Sequence, residues 1–135
     1  MSWFEKRLRE LRRQSPDQRV WIFSDGTDEE LKTLLAFPWV ARAPERRDVL
    51  GSFTLSAIAQ ISGTKAMVVT GGSSFHRWGV FLGQVPVLAH AVDEWHAPIW
   101  SRLSPCGVAI TGNQEPTAED WARVLNGRKW EPAIR

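Results

Sequence analysis

Apolar residues along this chain switch repeatedly between two spacings. Phe4, Leu8 and Leu11 recur every three to four positions with arginines around the remainder, which predicts a helix with one buried face. Ser2 followed three residues later by Glu5 predicts a capping box at its start. Ser15-Pro16-Asp17 is turn chemistry, and Val20 to Phe23 is an unbroken apolar run of the kind expected in a strand covered on both faces. That strand halts at Ser24-Asp25-Gly26. Thr27 with Glu30 predicts a second capping box, ahead of a helix through Leu31, Leu34 and Leu35 that stops near Pro38. Trp39 and Val40 form a short strand signal, and Leu50, Phe53, Ala57, Ile58 and Ile61 return to helical spacing. Ala66 to Thr70 is the most strand-like run. Phe75, Trp78, Phe81 and Leu82 then predict a helical face closing on Gly83 as a C-terminal cap. Pro86 to Ala89 and Gly107 to Thr111 are short buried-strand signals, and Thr117 to Leu125, with Trp121, Val124 and Leu125 inward and Gly127 after, predicts a last helix. His90 to Pro105 carries no clear period; Trp95, His96, Pro98 and Trp100 predict an ordered or packed loop there.

Strand and helix signals alternating every 25 residues or so predict an α/β fold. The expected architecture is a three-layer, Rossmann-like parallel sheet of four to five strands with helices on both faces. Residues 1–135 are expected to form a single domain, since no repeat, low-complexity tract or linker divides them. A hydrophobic content of 43% and a charged content of 24% fit a globular protein, and no apolar run approaches the length of a membrane span. The start of the chain lacks a secretory signal and the one cysteine, Cys106, has no internal partner, so a cytoplasmic location is expected. The net charge of +2 does not call for a nucleic-acid partner. The basic first helix, with Lys6, Arg9 and Arg13 behind Trp3 and Phe4, carries chemistry for contact with an anionic membrane or nucleic acid, although a solvated face accounts for it more simply.

In parallel sheets ligands collect at the carboxyl ends of strands, where the next helix presents its N-terminal amides. Two loops qualify, Ser24 to Asp28 and Gly71 to Ser74, and they differ in charge. The helix after the first opens with Asp28, Glu29 and Glu30. A phosphate about 4 Å from one such carboxylate meets roughly 4 kcal/mol of repulsion at an effective dielectric near 20. The helix after the second opens with Ser73, Ser74, Phe75, His76 and Arg77, with no acid, and two glycines let the backbone approach a ligand. An anion, most simply a diphosphate, is expected there, held by Gly72, Ser73, Ser74, Phe75 and Arg77; ordinary helix capping by serine is the competing explanation. The stretch is neither G-x-G-x-x-G nor a P-loop, and Phe75 breaks the pattern of a nucleophile elbow around Ser73. His76, His90 and His96 are too scattered for a metal site, so none is expected. Asp93 and Glu94 carry no assigned role. Trp3, Trp95, Trp100 and Trp130 lie outside the candidate loops and are expected, in part, to mark a surface for a partner.

The pair "VWIFSDGTDEEL" and "VVTGGSSFHRWGVFLGQVPV" resembles the donor-binding half of GT-B glycosyltransferases similar to bacterial and eukaryotic fucosyltransferases, over roughly residues 19 to 90. The resemblance implies a nucleotide-diphosphate sugar as donor substrate, possible candidates including a GDP-linked sugar, with no metal or other cofactor. Ser73, Ser74 and the Phe75 amide match positions that hold the donor diphosphate, and Ser24, Asp25 and Gly26 lie where the family approaches the nucleotide. Trp78 matches a position in the helix behind the motif. His76 stands where the family often has serine, and no acid occurs near Ser56 or Ala57 where the family places one. The family's arginine-bearing segment, which engages the diphosphate, and its second domain are expected to come from outside this sequence. Two functions follow as expectations: a fucosyltransferase-like donor domain serving surface-polysaccharide synthesis and incomplete as a catalyst alone, or a noncatalytic α/β module acting through protein contacts or self-association.

Overall fold

The computed structural model describes residues 2–45, 53–70, 74–91, 97–104, 106–111 and 114–127. The chain divides into two compact units, Met1–Arg46 and Arg47–Arg135.

The first unit runs α1 (Trp3–Gln14), β1 (Val20–Ile22), α2 (Asp28–Leu35) and β2 (Val40–Arg42). Both predicted capping boxes form. In α1 the Glu5 amide donates to Ser2 Oγ at 3.2 Å while the Ser2 amide donates back to Glu5 Oε2 at 2.6 Å, and Thr27 and Glu30 repeat the exchange in α2. The strands β1 and β2 are parallel, with Val20 opposite Val40 and Ile22 opposite Arg42, so β1-α2-β2 is a local crossover unit. β1 is not covered on both faces as its apolar run predicts: Trp21 is 47% exposed. Neighbouring strand residues face opposite sides, and in a two-stranded sheet the side carrying Trp21 stays open.

The second unit contains α3 (Phe53–Ser62), β3 (Met67–Thr70), α4 (Ser74–Gly83), β4 (Val87–Ala91), α5 (Ala97–Leu103), β5 (Val108–Thr111) and α6 (Ala118–Asn126). Its three strands lie in the order β3-β4-β5, all parallel, with Thr70 opposite His90 and His90 opposite Ile110. The fold is therefore α/β and Rossmann-like in its parallel strands and flanking helices, but the strands divide into sheets of two and three rather than one sheet of four or five. Periodicity reports that a strand exists; which strands pair is set by long-range packing that a single sequence does not display.

Val69, Val80, Val85, Val87, Ala89 and Trp100 form the buried core of this unit. The position of Trp100 corrects the sequence expectation twice: it lies on a helix, α5, within the stretch expected as a loop, and it is fully buried rather than part of a partner surface. The helical face of α4 also differs in direction. Trp78, Phe81 and Leu82 are 59%, 48% and 62% exposed, and the helix packs on α3 through Gly79 and Gly83 instead. A side chain at Gly79 would stand 2.4 Å from Ile61 Cγ2, and one at Gly83 only 2.2 Å from the Ser62 carbonyl oxygen. Gly83 is thus a close-approach residue, not the cap. The cap is Gln84, with φ of 47°: the Val85 amide donates to the Val80 carbonyl at 3.1 Å and the Gln84 amide to the Phe81 carbonyl at 3.4 Å, the paired bonds of a Schellman ending. The last helix brings a capping box that the hydrophobic pattern did not reveal, between Thr117 and Asp120.

Candidate functional site

The β3–α4 connection leads from the carboxyl end of a parallel strand into a helix whose first turn contains no acidic residue. At such an end the first backbone N–H groups have no partner inside the helix and point toward the space beyond the strand. Among the described residues, none accepts a hydrogen bond from the Phe75 amide. Gly72 and Ser73 lie outside the described residues; Ser74 is placed as the first residue of α4.

The side chains that follow shape the charge of this turn. Phe75 is half-buried and its ring meets the His76 ring edge-on at 5.9 Å. Burial pushes the His76 imidazole below its ordinary value of 6.5, so it is neutral at pH 7 and brings no cation to the turn. Its Nδ1 is buried with no hydrogen-bond partner. Arg77 is half-buried, and its guanidinium carbon sits 5.8 Å from the ring centre of Trp100 on α5. The one permanent charge of the turn is therefore held against a core aromatic ring rather than freely mobile.

The other predicted loop, Ser24-Asp25-Gly26, belongs to the first unit and is chemically different. The Ser24 hydroxyl accepts from the Gly26 amide at 3.0 Å, and the Thr27 amide donates to Glu30. The Thr27 amide, joined by the Thr27 hydroxyl, holds the Glu30 carboxyl below the usual carboxylate range, so it stays ionised. Asp28 pairs with Arg42 at 3.1 Å and Glu29 pairs with Lys32. Arg42 also donates to the Ser24 carbonyl at 3.3 Å and to the Gly26 carbonyl. This arginine was not singled out by sequence reasoning, yet a signal existed: in a parallel crossover, the end of β2 lies beside the loop that leaves β1. The amides and hydroxyls of this loop are thus largely taken by its own oxygens and by a carboxylate, whereas the first turn of α4 is acid-free.

Ser74, Phe75 and Arg77 are brought together on one helical turn in the second unit, and Ser24, Asp25 and Gly26 on one turn in the first. Among the described residues no group of three or more His, Cys, Asp and Glu side chains is placed to hold a metal ion, and no helix is long and apolar enough to cross a membrane.

These features define an α/β protein with Rossmann-like parallel strands and an acid-free helix start after β3. No protein-family model, no curated protein and no solved structure matches the chain.

Proposed function

We propose that this chain is a donor-binding domain of a fucosyltransferase-like glycosyltransferase, and that the start of α4 receives the diphosphate of a nucleotide sugar. The observation that carries the reading is the acid-free first turn of α4 at the carboxyl end of a parallel strand; the first turns of α3 and α5 are acid-free as well, whereas those of α2 and α6 are acidic and capped. The resemblance of the Ser24 and Ser73-Ser74-Phe75 segments to GT-B donor halves supports the same choice. Gly72, Ser73, Ser74, Phe75 and Arg77 would hold the diphosphate. The chain would act in the cytoplasm, in surface-polysaccharide synthesis, and would depend on a second GT-B domain for the acceptor and for turnover.

Titration calorimetry with GDP, UDP and their sugars tests this. A hydrogen bond to a charged group contributes about 1.5 to 3 kcal/mol, so Ser74→Ala and Arg77→Ala should each weaken a bound nucleotide sugar by roughly tenfold or more. Absent binding, or millimolar binding that neither substitution changes, overturns the reading.

A second reading, a noncatalytic module, draws on the exposed apolar residues Trp78, Phe81 and Leu82 on α4 and Leu55 on α3. Exposed apolar clusters of this kind often mark protein interfaces. It predicts no nucleotide binding and a concentration-dependent mass that Trp78→Ser lowers to that of the monomer, read by sedimentation equilibrium.

A further inference from the structure

In the first unit, Arg9, Arg12 and Arg13 of α1 and Trp39 line an open cleft of about 340 Å³. At positions i, i+3 and i+4 the arginines are neighbours on one helix face, where like charges destabilise the helix. Their placement near the helix C-terminus offsets part of that cost through the helix dipole. What the dipole does not explain is the missing counter-charge: among the described residues none of these arginines forms an ion pair, while the nearby carboxylates of Glu5 and Glu10 are committed to Ser2 and to Arg7.

Two of the guanidinium groups are also held in place by their faces. Arg9 lies 5.0 Å from the centre of the Phe37 ring and Arg12 4.7 Å from that of Trp39. Stacking engages the flat face of a guanidinium and leaves its in-plane N–H donors available, the edge that matches two oxygens of a phosphoryl group. Arg13 donates through Nε to the Arg9 carbonyl at 3.4 Å, which leaves its terminal nitrogens. Trp39 also lines the cleft, and its indole nitrogen is buried without a hydrogen-bond partner.

We infer that this cleft binds a compact, multiply charged phosphoanion of the size of a diphosphate, gripped by the edges of Arg9, Arg12 and Arg13 with Trp39 at its wall. The cleft volume falls in the small-ligand range of about 300 to 1,000 Å³, and its lining holds three cations and no carboxylate. The start of α4 belongs to the other unit.

The test follows the Trp39 indole N–H by ¹H–¹⁵N NMR of the full chain while inorganic pyrophosphate is added, with affinity measured by calorimetry. The expected result is a saturable shift of that resonance, an affinity that falls as salt rises, and a loss of roughly tenfold in each of Arg9→Ala, Arg12→Ala and Arg13→Ala. Arg12→Lys keeps the charge and the aliphatic stem but lacks the fork, and should still lose severalfold. Arg77→Ala, which addresses the start of α4, should leave both the Trp39 shift and the pyrophosphate affinity unchanged. An unmoved Trp39 resonance at millimolar pyrophosphate, affinities unchanged in the alanine variants, or binding to phosphatidylserine vesicles without binding to pyrophosphate would each overturn the inference.

Discussion

Replacing Gly83 by alanine should destabilise the protein, although the same change in most helices has the opposite sign. Alanine is the better helix former by up to about 1 kcal/mol, because glycine loses more backbone freedom on folding. Here the added methyl would stand 2.2 Å from the Ser62 carbonyl oxygen and 2.5 Å from Ser62 Cα, both backbone atoms that cannot rotate away. To reach ordinary contact the ends of α3 and α4 must separate by about 1 Å, in a region packed at close to crystal density. Overpacking of this kind costs about 1 to 3 kcal/mol, so the net loss after the helix-propensity gain is about 1 to 2 kcal/mol. Gly63 supplies the control. An added methyl there meets the Gln60 carbonyl oxygen at 3.4 Å and the Ala59 carbonyl oxygen at 3.7 Å, ordinary contacts, and its backbone is not left-handed. Gly63→Ala should therefore stabilise by about 0.4 to 1 kcal/mol through the unfolded chain. Urea unfolding followed by far-ultraviolet circular dichroism reads both, and the Gly83 variant should also melt about 3 to 10 °C lower. If Gly83→Ala proves as stable as the parent, or if the two substitutions move stability in the same direction, the close seating of α4 on α3 is wrong.

Three further outcomes are expected. Gln84→Gly should stabilise by about 0.5 kcal/mol, since Gln84 adopts φ of 47°, a conformation that costs an L residue about 1 to 2 kcal/mol and glycine little; a loss of stability in urea unfolding would contradict the Schellman ending. His76 has a folded pKa below its ordinary 6.5, so the unfolded chain binds the proton more readily. Its contribution is complete above pH 6.5 and declines as the pH falls toward the folded value; the urea midpoint of the parent should drop between pH 7.5 and 5 more steeply than that of His76→Gln, and equal slopes would refute the burial of the ring. Arg42→Ala removes the donor shared by the Ser24 and Gly26 carbonyls and Asp28, and should cost about 1 to 2 kcal/mol while speeding amide exchange at residues 26 to 30; unchanged exchange would show that the arginine does not hold the loop.

Local chemistry was the most legible part of the chain. Ser2 with Glu5 and Thr27 with Glu30 form the capping boxes that their spacing predicts, and β3, β4 and β5 appear within a residue or two of the expected strands, because caps and apolar runs act over a few residues. Direction and distance were less legible. The spacing of Trp78, Phe81 and Leu82 does define one face of α4, but spacing alone does not say whether a face looks inward. The deciding fact is that Gly79 and Gly83 let α3 approach on the other side. Trp100 was hidden because α5 is short, opens near Pro98 and, among its described side chains, shows only one deeply buried position, too little for a helical period to emerge. Arg42 escaped, and Arg9 and Arg13 were legible only as a basic face without their cleft, for a related reason: each depends on a partner from another element, Asp28 and the loop carbonyls in one case and Phe37 and Trp39 in the other.

The contrast between the two helix starts rests on what surrounds each amide rather than on the amides themselves. Every helix exposes unpaired N–H groups at its first turn, so the dipole alone favours an anion at α2 and at α4 equally. At α2 that preference is already met: Glu30 returns to the Thr27 amide, and Asp28 and Glu29 add charges of the sign a phosphate carries. At α4 the first turn contributes no carboxylate, a neutral imidazole and one arginine, while Gly79 and Gly83 let the helix seat closely on α3. A rigidly seated turn spends little ordering entropy when a ligand binds, which is the condition under which a few amides and hydroxyls can hold a diphosphate without a metal. The same reasoning makes Gly83→Ala informative about ligand binding as well as folding: a displaced α4 should weaken nucleotide-sugar affinity, whereas Gly63→Ala should leave it unchanged.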